Sequence, residues 1–138
     1  MKNLGPVLVC VTAQLNCERL INSGKELSQR INRELYVVTV LNKDDSAKEK
    51  SDALKTLNAL SKKTDCSIDI IYSDNVAQSL GVHINKVNPC HILIGNPVEG
   101  GRFFEEFMSN IYSAPVSVIN GDDEIMYTIP SPAYESIP

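Results

Sequence analysis

The sequence predicts an α/β domain in three layers, with helices on both faces of a parallel sheet. Two observations point there. Five short β-branched apolar runs punctuate the chain: Val7–Val11, Leu35–Leu41, Ile68–Tyr72, His91–Gly95 and Val116–Asn120. Continuous apolar runs of this length, bounded by turn residues, suit strands buried on both faces. The segments between the runs carry apolar residues at helical spacing. Strands that alternate with helices pair in parallel, because each crossover helix returns the chain to the same end of the sheet. Right-handed crossovers then distribute the helices over both faces. A length of 138 residues, 43% of them hydrophobic and 22% charged, fits one soluble globular domain.

Each helix has its own signal. In the first, Leu20, Gly24, Leu27 and Ile31 share one face, and Gly24 on that face allows a close approach to the sheet. The second opens on Ser46-Ala47-Lys48-Glu49, which has the form of a capping box, and continues with the stripe Ala53, Leu57 and Leu60. The third has Asp74 or Asn75 as its N-cap and Val76, Leu80, Ile84 and Val87 as its buried face. A fourth runs from about Phe103 to Ile111, with Phe104, Phe107, Met108 and Ile111 apolar. The α/β domain thus occupies residues 1–121. Residues 122–138 read as a tail: Gly121-Asp122-Asp123-Glu124 is an acidic turn, and Pro130, Pro132 and Pro138 interrupt the last residues of the chain. Within the tail, Ile125–Ile129 reads first as loosely held chain and second as an added edge strand or a segment that lies on a partner subunit.

Composition narrows the function. The net charge is −4, and Lys48, Lys50, Lys55, Lys62 and Lys63 read as the solvated face of a helix rather than a stripe that tracks phosphates. With no Trp and 6% aromatic residues, a base-stacking platform is not expected, so nucleic acid is not an expected partner. Val7–Val11 is too short for a signal-peptide core or a membrane span, which sets the expectation of a cytoplasmic protein without a membrane partner. Cys10, Cys17, Cys66 and Cys90 form no metal-ligand spacing, and His83 and His91 have no Cys or carboxylate at helical ligand distance. No structural metal is expected. Cys10 and Cys90 belong at opposite ends of their strands, which argues against a disulfide. Asp74 follows the third strand as a receiver-domain phosphoacceptor does, but Thr12 and Asn120-Gly121 stand where the acidic and lysine partners belong, so Asp74 reads as a helix cap.

Ligands of parallel α/β sheets bind beyond the carboxyl ends of the strands, where strand order reverses. That rule selects the loops Thr12–Asn16 and Asn96–Arg102. Around them the residues also carry a family likeness. Pro6-Val7-Leu8-Val9-Cys10-Val11, then five loop residues, then Cys17-Glu18-Arg19-Leu20-Ile21 resembles the opening of universal stress proteins. The form is nearest to the universal-stress-type domain of Kdp-type potassium-sensing histidine kinases, whose first helix carries a Ser-Glu-Arg/Lys-Leu-Ile/Val run. Ile92-Leu93-Ile94-Gly95-Asn96-Pro97 is similar to their Ile-Gly-Arg-Pro-like turn. The resemblance covers about residues 6–120. It implies strand order 3-2-1-4-5, the fold of universal stress and adenine nucleotide α-hydrolase-like proteins, and a homodimer through the last strand.

The resemblance also implies a ligand, ATP or another adenine nucleotide, and marks departures from the family pattern. Nucleotide-binding members carry an Asp after the first strand and a later Gly-x2-Gly-x9-Gly-Ser/Thr motif, in which glycines let backbone N–H groups approach phosphates. Here the Asp position is Thr12, the motif glycines fall on Gly95, Val98 and Met108, and the hydroxyl on Ser109. Gly100 and Gly101, with Arg102 beside them, are candidates for a displaced phosphate loop; as a turn before the last helix they need no ligand. The implied site is Thr12, Ala13, Val40, Gly95, Asn96, Pro97, Gly100, Gly101, Arg102 and Ser109, with Val40 against the base and no catalytic residue. For cyclic di-AMP, bound by some Kdp-type segments, only Thr12 nearly matches. Cys17, at the expected start of the first helix, stands where relatives place a capping Ser.

The functional expectation is a non-enzymatic stress- or potassium-related regulatory module that holds an adenine nucleotide and has a regulatory protein as partner. A protein–protein scaffold with a degenerate site and a slow ATP hydrolase are the competing readings.

Overall fold

A computed structural model describes residues 5–11, 17–95, 114–119 and 125–129. Its elements are β1 (Val7–Cys10), α1 (Cys17–Ile31), β2 (Leu35–Asn42), α2 (Ala47–Thr64), β3 (Ile68–Ser73), α3 (Val76–Val87), β4 (His91–Gly95), β5 (Val116–Ile119) and β6 (Ile125–Ile129). The sheet runs β3-β2-β1-β4-β5-β6, and its first five strands are parallel. The order 3-2-1-4-5 expected from the sequence is therefore present. The fourth expected helix, 103–111, lies outside the described residues.

Alternation along the strands divides the interior in two. Val7, Val9, Val37, Leu41 and Leu93 join Leu20 and Ile21 of α1 and Leu57 of α2 in one buried cluster. Leu8, Val38, Ile92, Ile94, Val116 and Val118 join Leu80 and Ile84 of α3 in the other. Successive side chains of a strand point to opposite faces, so a continuous apolar strand supplies both layers at once. Full burial of a Leu, Ile or Val contributes about 1.5–3 kcal/mol, and these clusters hold the three layers together.

The helices start and stop where local chemistry requires. The Ser46 hydroxyl accepts the Glu49 N–H at 3.1 Å and donates to Glu49 Oε1 at 3.1 Å, which satisfies an orphan donor of α2. At the other end Asp65 adopts the left-handed conformation (φ 54°) and its N–H reaches the Ser61 carbonyl. The N-cap of α3 is Asn75, whose Oδ1 accepts the Gln78 N–H at 3.1 Å. Asp74 does not cap: its carboxylate faces Lys43 Nζ at 3.5 Å. The residue that fits is the one whose carbonyl already accepts the first intrahelical bond, and that is Asn75, bonded to Ser79 N–H at 3.0 Å.

Two further expectations change. On α1 the buried face is Leu20, Ile21, Gly24, Leu27 and Ser28, whereas Ile31 is 39% exposed. Ile31 ends the helix just before the left-handed Asn32, where the chain turns towards β2. At the C-terminal end, Ile125–Ile129 is not loose: β6 pairs antiparallel with β5, Val116 opposite Ile129 and Val118 opposite Tyr127. A β-rich pentapeptide next to the open backbone of β5 gains a ladder of hydrogen bonds that a tail forgoes. The outer side of β5 is therefore occupied within the chain.

Candidate functional site

The geometry at the strand ends is set by β1 and its two neighbours. Cys10 lies opposite Val38 of β2 on one side and Ile94 of β4 on the other, all three strands parallel. The Val11 N–H then donates to the Val38 carbonyl at 2.9 Å. β2 runs on to Asn42, and β4 ends at Gly95, one residue beyond the Cys10–Ile94 pair. Val40 on β2 and Gly95 on β4 flank the place where β1 stops, separated by two strand spacings or about 10 Å. Crossover connections leave β1 in one direction and β4 in the other, so this is the point where strand order reverses.

Of the ten residues expected at the site, Val40 and Gly95 are described, and they stand on the two strands that flank β1. Thr12, Ala13, Asn96, Pro97, Gly100, Gly101, Arg102 and Ser109 lie outside the described residues. Val40 is half-buried and packs against the α3-side cluster. Gly95 is exposed, and among the described residues a Cβ placed on it would meet only Leu20 Cδ2, at 3.8 Å. Cys10, at the end of β1, packs against the same cluster, and burial pushes its thiol up to about 12. It is a packing residue, not a nucleophile at neutral pH.

Elsewhere the polar chemistry is structural. The Nε2 atom of His91 lies 2.6 Å from the Ser117 hydroxyl, and burial lowers the imidazole pKa. This pair sits towards the amino ends of the strands, where His91 is opposite Val7, away from the crevice. Cys90 bonds through its N–H to the Pro6 carbonyl, four residues of β1 away from Cys10, so the two thiols occupy opposite ends as expected. Cys10, Cys66 and Cys90 are free thiols. Among the described residues no group of three His, Cys, Asp or Glu side chains is placed to hold a metal ion. Among them, too, no helix is long and apolar enough to cross a membrane.

No protein-family model and no curated protein sequence matches the chain. Solved structures do match. A protein of Pseudomonas aeruginosa UCBPP-PA14 described as a universal stress protein superposes with a TM-score of 0.70 at 12% identity, over 84% of this chain and 47% of that one. The fold is that of universal stress proteins. The chain spans about half the length of that Pseudomonas structure. The universal stress protein of Archaeoglobus fulgidus, solved in complex with dAMP, gives a TM-score of 0.58 at 17% identity over 86% of this chain and 98% of its own. A universal stress protein solved in complex with cAMP gives 0.62 at 12% identity over 86% and 98%. At such identities the universal stress likeness establishes architecture, and it agrees with the strand order seen here.

One feature of the surface was not anticipated. An open groove of about 770 Å³ lies between α2 and β3, lined among others by Lys50, Leu54, Lys55, Ile70 and Tyr72. Of the five lysines expected on a solvated face, Lys48, Lys62 and Lys63 are exposed there, whereas Lys50 and Lys55 border an apolar trough, and Lys50 Nζ stands 5.8 Å from the centre of the Tyr72 ring. The spacing of Ala47, Ser51, Leu54 and Asn58 on α2 was the available signal: a second stripe of small and apolar residues beside the buried one.

Proposed function

We propose that the chain is a regulatory module of the universal stress type that binds an adenine nucleotide in the crevice beyond β1 and β4 and does not turn it over. The observation that carries this reading is the position of Val40 and Gly95 on opposite sides of the point where β1 ends between two longer parallel neighbours. Such a crevice offers strand-end backbone and apolar walls together. The likeness to structures solved with cAMP and dAMP supports the same ligand class. In this reading the base lies against Val40, the strand end at Gly95 leaves the backbone approachable, and Thr12, Ala13, Asn96 and Pro97 complete the crevice. Gly100, Gly101, Arg102 and Ser109 receive the phosphate end. Thr12 in place of an acidic residue favours a ligand held without a tightly bound divalent cation. The setting proposed is stress- or potassium-linked signalling in the cytoplasm, with the chain a homodimer. Since β6 covers the outer side of β5, association through the last strand would use β6.

Titration calorimetry with cAMP, dAMP, ATP with and without magnesium, and cyclic di-AMP tests the reading. Saturable binding of at least one of them, with no product formed on prolonged incubation, is the expected result. Absence of heat with all of them would favour the second reading, a protein–protein scaffold whose nucleotide site has decayed. The α2–β3 groove is the observation that favours that alternative. Turnover lost on Thr12 substitution would favour a slow hydrolase.

A further inference from the structure

The sheet has two edges, and they are treated differently. β6 closes one side of the parallel sheet, whereas among the described residues β3 is paired only to β2. Six residues long, β3 is rich in β-branched and aromatic side chains (Ile68, Ile70, Ile71, Tyr72), so its free side presents an extended row of backbone donors and acceptors. Natural edge strands are usually shortened, bulged or covered, and a long apolar one left open is a template for another strand.

The groove lies along that edge. Ile68, Ile70 and Tyr72 on β3 and Leu54 on α2 line it, with Leu54 40% and Tyr72 45% exposed. A strand laid beside β3 at the usual spacing of about 4.8 Å would place every second side chain in this trough. The charged residues lining the groove are Lys50 and Lys55. They belong to a helix with Lys48, Lys50, Lys55, Lys62 and Lys63 against Glu49 and Asp52, in a chain whose net charge is −4. The groove side of this edge is thus positive, through Lys50 and Lys55, while Asp69 of β3 alternates to the opposite face; a negatively charged strand with its carboxylates on the groove side is the complement.

We propose that the β3 edge and its groove bind an extended acidic peptide segment of a partner protein as an added strand, with apolar side chains in the trough and carboxylates at Lys50 and Lys55. A second copy fits less well. Pairing β3 with β3 about a two-fold axis brings both copies' Lys50 and Lys55 to one interface, and like charges there oppose association. Pairing β3 with the β6 edge of another copy is head-to-tail and generates open filaments rather than a closed assembly.

The test uses the full chain and fluorescein-labelled peptides in which glutamate alternates with valine and isoleucine. A lysine-for-glutamate version and a version N-methylated along one backbone edge serve as comparisons. Fluorescence anisotropy is expected to show binding of the glutamate peptide that weakens steeply with salt, and about tenfold weaker binding by the Lys50→Glu, Lys55→Glu double variant. That variant, with its fold checked by circular dichroism, is expected to prefer the lysine peptide. N-methylation is expected to abolish binding, because it removes the strand pairing and leaves the charge. Failure of the glutamate peptide to bind at millimolar concentration overturns the proposal. So does equal binding of the N-methylated or lysine peptide to the natural chain. Concentration-dependent oligomers of the chain that disappear in the double variant would assign the edge to another copy instead. Nucleotide calorimetry is unaffected by these substitutions, so this proposal and the crevice reading stand or fall separately.

Discussion

Gly24 of α1 rests directly on Val9 of β1. A Cβ placed on Gly24 would collide with Val9 Cγ2 and come within 3.1 Å of Leu35 Cδ1. The helix therefore sits on the sheet at backbone contact, and its tilt is set by that contact. Since α1 leads from the end of β1, this seat also positions the helix start beside the crevice.

The first prediction concerns that seat. Gly24→Ala gains up to about 1 kcal/mol of helix propensity. It meets an overpacking cost of about 1–3 kcal/mol, because Val9 is fully buried and cannot swing aside. The variant is expected to be less stable by about 1–2 kcal/mol, with a lower urea midpoint and an unchanged m-value. A rise in the midpoint would show that α1 rides higher than described.

Thr39 offers the opposite case. Its side chain is 1% exposed on β2, yet its hydroxyl finds no hydrogen-bond partner. Thr39→Val keeps the shape and removes an uncompensated polar atom, so stability is expected to increase by about 1 kcal/mol. Ser117→Ala provides the contrast, because the Ser117 hydroxyl is bonded to His91. It is expected to cost about 1–3 kcal/mol. Thermal melts of the two variants side by side decide the point.

Burial lowers the His91 pKa below its ordinary value near 6.5. As pH falls through that ordinary value the unfolded chain takes up a proton that the folded chain resists. Stability contributed by the neutral ring is therefore complete above about pH 6.5 and declines below it, towards the lowered folded pKa. Urea unfolding between pH 7.5 and 5 is expected to show this decline. His91→Gln, which retains a hydrogen-bonding group for Ser117, is expected to flatten it.

At the crevice, Gly95→Val separates binding from folding. Among the described residues only Leu20 Cδ2 lies near the new Cβ position, at 3.8 Å, and valine suits a strand. Stability should move by no more than about 0.5 kcal/mol. Nucleotide affinity should fall about tenfold or more, as the added methyls occupy the strand end where backbone must be approached. Calorimetry on the variant, against an unchanged melting temperature, checks both halves.

Much of the architecture was legible from local pattern. The runs Leu35–Leu41 and His91–Gly95 were legible as strands because short apolar runs bounded by turn residues suit burial on both faces. Ser46 with Glu49 marked a helix start because their reciprocal bonding needs three residues of separation and nothing else. The strand ends beyond β1 and β4 were singled out by the switch-point rule together with the strand order that the family resemblance implied, and the structure shows those two strands side by side. Local pattern did not distinguish Asp74 from Asn75 as the cap, or reveal that Ile31 faces out while Ile21 and Ser28 face in. Those depend on where a helix axis lies over the sheet, to within a fraction of a turn.

By itself, then, the amino-acid order determined that β1 to β5 are strands, that α1 to α3 are helices and that those five strands run parallel, because these follow from periodicity and connection length. Only the tertiary arrangement decided that Ile125–Ile129 joins the sheet as β6, and that Lys50 borders an apolar groove beside an open β3. Both depend on which backbone edges remain unpaired after the parallel strands assemble. Edge availability belongs to the assembled sheet, and no single segment encodes it.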